Sequence, residues 1–416
     1  MRQKYLILGL AASIALAGSS SVLALADTTN IGDAWKGSAI GEAGAQEFGL
    51  ETALGWIYPS VGATVVYDDN TYNSEDNRQS ATSLFVTLPR LHLELDGDAG
   101  QLIRLSGQLT YDADFLNSGS RDLGAALAAD AVVAPTEKLE LKAGAGWEQN
   151  WEKRGEGVAE GPAAELFDKN IRYQETSLRV GGSYGADEER SPRLNFDAVR
   201  RDRSYKNFRE LNRGRDSVVD QVGVSLLYWV QPNTAMTASV RFSEYDYTDS
   251  DYDSTQWRYL LGAQWDLTYQ TQGYIQLGRG EKYMKSSRFE NAADYNWEVG
   301  VRWRPLNYSN FVLSTSRDFV EEAGFGWSDK SEYRAAWIHE WDTHLRSGVI
   351  FNLGDQSYSS SIREDDYWDL ALRLHYAFRP WLNFTGSYQY SDRDSNLAGY
   401  SYDKNVYSLG FEMSFF

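Results

Sequence analysis

Apolar and polar residues along this chain alternate with a period of two. Residues 368–378 place Trp368, Leu370, Leu372, Leu374, Tyr376 and Phe378 on one face, and Asp369, Ala371, Arg373, His375 and Ala377 on the other. Successive side chains of a strand point to opposite sides, so such a segment buries one face and wets the other. Residues 257–267 repeat the pattern, with Trp257, Tyr259, Leu261, Ala263, Trp265 and Leu267 against Arg258, Gly262, Gln264 and Asp266. So do residues 297–304, with Trp297, Val299, Val301 and Trp303 against Glu298, Gly300, Arg302 and Arg304. In all three the aromatics sit near the ends of the apolar row, where a membrane interface favours them.

About eighteen such segments follow one another, centred on 57–67, 81–95, 101–113, 123–134, 138–150, 174–184, 193–204, 218–229, 234–246, 255–267, 273–283, 294–304, 310–319, 331–341, 345–355, 366–378, 382–390 and 404–416. Apolar-out segments of ~9–13 residues fit tilted spanning strands. The connections alternate in length. Asp96–Gly100, Pro135–Glu137, Gln231–Asn233, Asp342–Thr343 and Arg379–Trp381 are short. Asp68–Ser80, Trp151–Tyr173, Tyr205–Ser217, Tyr247–Ser254, Val320–Lys330 and Ser391–Asp403 are longer and charged. Pro135, Pro192, Pro232, Pro305 and Pro380 fall in or beside the short set; proline donates no ladder hydrogen bond and belongs at such turns. The expected fold is all-β: an antiparallel, up-and-down transmembrane barrel of 16–18 strands over 54–416, with turns in the periplasm and loops outside. Closure follows because lipid cannot satisfy an open edge. A soluble sandwich would also alternate, but eighteen strands would leave edges to protect, and nothing in it would call for aromatics bracketing each row.

The end of the chain fits the same reading. Tyr407, Leu409, Phe411, Met413 and Phe415 form one apolar row, and Phe416 follows out of phase with it. A terminal aromatic is the feature that barrel-assembly machinery reads. Residues 1–26 read as a secretory leader: Arg2 and Lys4, an apolar stretch from Tyr5 to Ala17, and small residues at Ala24-Leu25-Ala26. Residues 27–53, Gly/Ala-rich and mildly acidic, read as a periplasmic arm or a short lumen-occluding helix.

Composition narrows the chemistry. The 416 residues carry 40 Lys+Arg against 59 Asp+Glu, a formal charge of -19. That balance lacks the basic footprint of nucleic-acid binding. Cysteine is absent, which excludes disulfides, thiolate metal sites and Cys nucleophiles. Mean hydropathy of -0.51 excludes a helical membrane bundle. His92, His339, His344 and His375 are the four histidines. His339 and His344 flank a turn and read as rim residues; His92 and His375 fall on wet strand faces. No nucleophile, zinc, phosphate-loop or dinucleotide motif stands in a usable context. No enzyme activity, catalytic residue, cofactor or metal is expected.

Two charged stretches carry weaker signals. Tyr245 to Asp253 alternates tyrosines and carboxylates and reads as a solvated outer loop beside lipopolysaccharide-bound divalent ions, rather than a dedicated Ca²⁺ loop. Arg190, Arg193, Arg200, Arg201, Arg203, Lys206, Arg209, Arg213 and Arg215 form a basic run. It serves either to attract an anionic polymer or, more simply, to pair with lipopolysaccharide phosphates and nearby acids. The candidate functional residues are those on the wet faces: Glu94, Arg104, Gln108, Arg179, Arg241, Arg258, Gln264, Glu298, Arg302, Arg334, Asn352, Arg373 and Gln389, with Thr385 and Glu412 beside them. Arg at the bilayer midplane costs about 2–4 kcal/mol, so these residues are expected to line a lumen. At this strand number the lumen is wide enough for an aqueous channel unless something fills it. The longest loop, Trp151–Tyr173, with pliable Gly155, Gly157, Gly161 and Pro162, is a candidate inward-folding constriction.

Val65-Val66-Tyr67-Asp68-Asp69-Asn70-Thr71-Tyr72, then Pro89-Arg90-Leu91-His92-Leu93-Glu94-Leu95 and Leu105-Ser106-Gly107-Gln108-Leu109-Thr110-Tyr111, resemble the family called putative β-barrel porin 2. Within it the chain is similar to the barrels encoded with exopolysaccharide genes, of the EpsL or Vibrio-polysaccharide kind. That resemblance implies about eighteen strands and a part in export of a secreted polysaccharide, with a short periplasmic polysaccharide-export protein as partner. It supplies no catalytic residues. A diffusion porin for small solutes is the alternative function.

Overall fold

A computed structural model describes residues 50–52, 55–76, 78–96, 101–115, 121–185, 191–268, 270–322 and 326–415, without the side chains of 88–92, 94, 96 and 267. The leader, most of the 27–53 segment, Arg190 and Phe416 lie outside the described residues.

The alternating segments become one closed antiparallel sheet. A short strand β1 (Leu50–Thr52) is followed by β2 (Gly55–Asp68), β3 (Ala81–Asp96), β4 (Leu102–Asp114), β5 (Arg121–Thr136), β6 (Leu139–Glu152), β7 (Ile171–Tyr184), β8 (Arg193–Tyr205) and β9 (Ser217–Gln231). The second half holds β10 (Thr234–Tyr247), β11 (Ser254–Thr268), β12 (Thr271–Met284), β13 (Ala292–Leu306), β14 (Ser309–Glu322), β15 (Gly326–Glu340), β16 (Leu345–Tyr358), β17 (Glu364–Arg379), β18 (Leu382–Ser395) and β19 (Tyr402–Ser414). Each strand pairs with the next, and β19 pairs with β2 from Ser414↔Ser60 to Val406↔Asp68, closing an 18-strand barrel. Every expected segment is one of its strands. β1 pairs back on the start of β2, Leu50 opposite Ile57, so the last residues of the expected arm join the sheet.

The eighteen barrel strands run 13 to 16 residues, longer than the expected ~9–13. The extension lies mainly at the loop end. Charged, loop-like sequence there continues the ladder: over Val320–Lys330, Lys330 faces Asp318 and Glu322 faces Gly326, so that connection shrinks to 323–325. A strand needs apolar residues only where lipid touches it; beyond that, ladder bonds hold any sequence.

The two faces divide as alternation requires. Outward residues are apolar and exposed, Leu261 at 70% and Leu409 at 68%, with Leu313, Leu372 and Leu374. Inward residues are polar and buried, among them Arg258, Gln276, Glu298 and Arg302. Aromatic neighbours bracket the apolar rows: Trp257 stacks on Tyr259 at 5.9 Å, and Phe311 on Trp337 at 6.1 Å. Among the described residues no helix is long and apolar enough to cross a membrane, a test that does not bear on strands.

Candidate functional site: the lumen and its inward loop

The 153–170 loop leaves β6 and turns into the barrel. Its first residue, Lys153, sits over the inward ring of Phe85 on β3 at 4.2 Å and 3.7 Å from Asp112 of β4. Arg154 lies over Tyr72 at 4.3 Å, and Asn73 Nδ2 donates to the Gly155 carbonyl at 2.7 Å. Gly155 has φ +92°, and a Cβ there would stand 2.0 Å from the Thr71 carbonyl oxygen, so only glycine lets the loop enter at this point. Short helical turns at Gly157–Ala159 and Gly161–Leu166 follow, with Pro162 starting the second. Ala159, Phe167, Ile171, Tyr173 and Tyr205 pack into a closed apolar nest, and Phe208 meets Phe167 edge-on at 5.0 Å. Asn170 returns the loop to the wall by donating to Asp122 at 2.8 Å.

The loop's tip is held on the far side of the mouth. Glu160 lies 3.0 Å from Arg363, just before β17, and also pairs with Arg393 of β18. Arg363 bonds Asp365 at 2.9 Å and is sandwiched between the rings of Tyr358 at 4.5 Å and Tyr400 at 4.1 Å. Arg393 lies over Tyr402 at 5.1 Å. These groups are largely buried: Arg363 and Asp365 are 7% and 2% exposed. Removing one partner of a buried pair costs about 3–5 kcal/mol, far more than an exposed pair, so the tip is firmly fixed. Sequence reading singled out the loop but none of Glu160, Arg363, Asp365 or Arg393. The available signal was a lone carboxylate set between Gly157 and Gly161-Pro162; its arginine partners lie more than 200 positions away, beyond any local pattern.

The expected lumen residues lie on the face opposite the exposed apolar rows. Arg258, Glu298 and Arg302 are buried; Arg104, Gln108, Arg179, Arg241, Gln264, Arg334, Asn352, Arg373, Gln389 and Glu412 are partly buried, and Thr385 is exposed. The side chains of Glu94 and His92 lie outside the described residues. Arg258 and Glu298 form an ion pair across β12, and Arg258 Nε stands 3.2 Å from Asp318. Asn296 and Gln256 also donate to Asp318, at 2.6 and 3.3 Å. Other members stay apart from this network. Arg334 faces Asn352, Arg373 faces Gly348 and Ser387, and Arg104 faces Asp130. Between Arg302 and Gln389 the inner wall carries an apolar row, Val312, Ala336, Ile350 and Ala371.

The charged stretches are spent on neighbours. In the basic run Arg200 pairs with Asp220, Arg203 with Glu175, Arg209 with Asp216 and Arg215 with Glu152. In the acidic loop Asp246 and Asp251 take Lys285 and Arg288 of the next loop. Asp246 and then Glu244 hold the Lys285 ammonium above the ordinary lysine range. Among the described residues no group of three or more His, Asp or Glu is placed to hold a metal ion. His339 packs between Tyr308, Trp337 and Trp341, its ring 4.4 Å from Trp341, while His344 sits in the exposed turn beside Asp342. The two have different neighbours on the turn-end rim.

Solved barrels of similar shape include two from Pseudomonas aeruginosa. OpdQ matches with 12% identity and OpdO with 14%, each at TM-score 0.50 over 86% of this chain and 98% of the other. The ferric citrate transporter FecA, in its unliganded form, matches over 81% of this chain with 12% identity and TM-score 0.47, and the chain spans 60% of that transporter's length. At these identities the likeness is one of fold. No curated protein matches the chain in sequence. A family model described as "Putative beta-barrel porin 2" matches residues 55–415, from the first barrel strand to the end of the last, and the chain belongs to that family of outer-membrane barrels.

Proposed function

We propose that this protein is a selective outer-membrane diffusion channel, narrowed at its outer mouth by its own 153–170 loop. The observation that carries this reading is the Glu160–Arg363 contact of 3.0 Å, which ties the loop's tip to the opposite wall. A loop held in that way leaves room for hydrated solutes beside it and resists anything wider. Charges of both signs on the inner wall favour polar cargo over apolar cargo.

A second reading is passage of an exopolysaccharide strand, driven from the inner membrane, with a periplasmic polysaccharide-export protein docked at the turn end. The tyrosines around the loop's tip, Tyr358, Tyr400 and Tyr402, favour it, because phenol faces stack on sugar rings while neighbouring carboxylates and guanidinium groups bond hydroxyls. It requires the loop to swing aside.

Planar-bilayer recording separates the two. Glu160→Gln keeps the Arg363–Asp365 pair and frees the tip, and single-channel conductance rises severalfold; conductance unchanged from the native protein rejects the constriction. Current blocked by oligosaccharide fragments, together with loss of surface polysaccharide in a deletion strain, supports the second reading. A deletion strain with normal surface polysaccharide eliminates it.

A further inference from the structure

The ladder between β13 and β14 stops short. Its rungs run from Leu306↔Ser309, with a register shift before Trp303↔Phe311, to Trp297↔Arg317, and 292–296 of β13 and 318–322 of β14 share none. The other sides of both strands are laddered to the end, Ala292 opposite Lys282 on β12 and Glu322 opposite Gly326 on β15. Five residues per strand make a slot about 16 Å tall at a rise of ~3.3 Å each. It opens where the outward aromatic Trp297 marks the outer interface. Below that level an unsatisfied ladder would cost several kcal/mol per group; above it, water and head groups serve.

The end of β14 leans inward instead. The Phe319 carbonyl accepts from Gln256 of β11 at 3.4 Å, and Glu321 takes Lys282 and the Tyr247 hydroxyl, the latter at 3.0 Å. Among the described residues side chains alone bridge the slot: Asn296 to Asp318 on the lumen side, and Arg317 to Asp294 at 2.5 Å.

The slot's two sides differ in chemistry. Outside stand Tyr295, 72% exposed, and Trp297, whereas Val320 shares the lumen-side parity of Asp318 and Glu322. Inside, Gln256 Oε1 and Glu298 Oε2 are buried acceptors with no hydrogen-bond partner among the described residues, on side chains only 7% and 6% exposed. Beside the slot the Trp327 indole, packed on Phe319 at 5.0 Å, likewise has no acceptor for its buried N–H. Orphaned buried polar atoms cost about 1–3 kcal/mol each, and a ligand that supplies their partners recovers that energy.

We infer that the β13–β14 slot is a lateral portal between the lumen and the outer leaflet. It takes an amphiphile whose hydroxyl-rich head donates to Gln256 and Glu298 while its acyl chain runs down outside past Tyr295 and Trp297 into the leaflet. This exit is separate from the axial channel: ions can pass along the lumen whether or not the slot opens.

The absence of native cysteine makes the portal directly testable in the full chain in nanodiscs. Bimane is attached to a cysteine replacing Ser316, on the inner face one row below Asp318, or Ser225 on the wall of β9. Dodecyl maltoside carrying a nitroxide is added below its micellar concentration. The Ser316 label is quenched severalfold more strongly than the Ser225 label. Equal quenching at both sites, which signals entry through the mouth, or quenching at neither, overturns the portal. Spin labels at Tyr295→Cys and Val320→Cys, both exposed and on opposite edges of the slot, give a second measure. They show an added longer distance, whereas labels at Leu353→Cys and Trp368→Cys, a directly paired couple on β16 and β17, show one. A single narrow distance in both pairs also overturns it. Bilayer conductance of the same labelled proteins reports on the axial channel by itself, so failure of either idea is seen separately.

Discussion

Two seams of this barrel come apart at the loop end, and they are finished in opposite ways. Between β5 and β6 the rungs stop at Ala125↔Gln149, while the outer sides continue to Arg121 and Glu152. There β6 turns Trp151 inward, into a buried cluster with Phe85, Val66 and Val406. The ring lies against Gly124, where a Cβ would meet it at 2.9 Å. Between β13 and β14 the strands are joined across the gap by one ion pair and one amide, and the buried ring there, Phe319, packs on Trp327 of β15 rather than on β13. The first seam is stoppered by packing and serves as the root of the inward loop. The second is tied by polar bonds that water and salt can replace. Lost backbone pairing therefore has no fixed meaning; what occupies the gap decides whether it is a wall or a door.

The comparison can be broken from its stronger side first. Trp151→Ala removes the stopper and its contact with Phe85, at an expected cost of about 3–5 kcal/mol, and loosens the loop. Urea unfolding followed by heat-modifiable gel mobility measures the first effect, and raised open-channel conductance the second; a loss below about 1 kcal/mol, within the ordinary range for surface changes, means the seam is not held by that ring. Next comes the wall itself, which sets the background for both seams. Leu372→Arg puts a charge into lipid at about 2–4 kcal/mol and impairs membrane insertion, whereas Arg373→Leu on the inner face inserts normally and alters ion selectivity. Equal insertion yields for the two would contradict the assignment of faces.

Smaller effects sharpen the second seam. Arg317 and Asp294 are partly exposed, so Asp294→Asn weakens the tie by no more than about 1 kcal/mol. In the spin-label measurement it enlarges the long-distance population across β13–β14, and 1 M salt does the same by screening; a matching response at β5–β6 would erase the distinction. The smallest effect is local to a turn. Asp342 accepts the backbone N–H groups of His344 and Leu345 at 2.6 and 2.9 Å, which hold its carboxyl below the usual range. A depressed folded value stabilises the turn above the unfolded carboxylate's titration range and loses that contribution as pH falls through it. Amide exchange at His344 and Leu345 should therefore speed up, relative to other turns, as the medium is acidified, and Asp342→Asn should abolish the difference.

Alternation made the barrel legible because lipid imposes a two-residue period on every spanning strand. Weakly patterned stretches such as 123–134 and 273–283 still resolved into β5 and β12. Strand ends were less legible: at Asp318–Glu322 the polar residues look like loop, yet they pair with β15 above the membrane. Register was invisible, because period two is satisfied by any even shift, so neither shortened seam could be foreseen. The polar side of the strands was readable at Arg258, Glu298 and Arg302, which are buried opposite the exposed apolar rows. The fixing of the loop by Arg363 and Arg393 was not, since it depends on which walls closure brings together.

Closure carries a kinetic consequence. Asp69 and Asn405 bond across the β2–β19 junction, as do Asn70 and Asp403, though 333 to 336 positions separate them. Every other rung in the wall joins strands adjacent in sequence, whose formation requires only a short excursion of the backbone; this junction must search the conformations of nearly the whole molecule. It is therefore expected to form last, and until it does β2 offers a bare edge to any strand that arrives, native or foreign. A catalyst of assembly would contribute most by shielding that edge while the remaining hairpins are added.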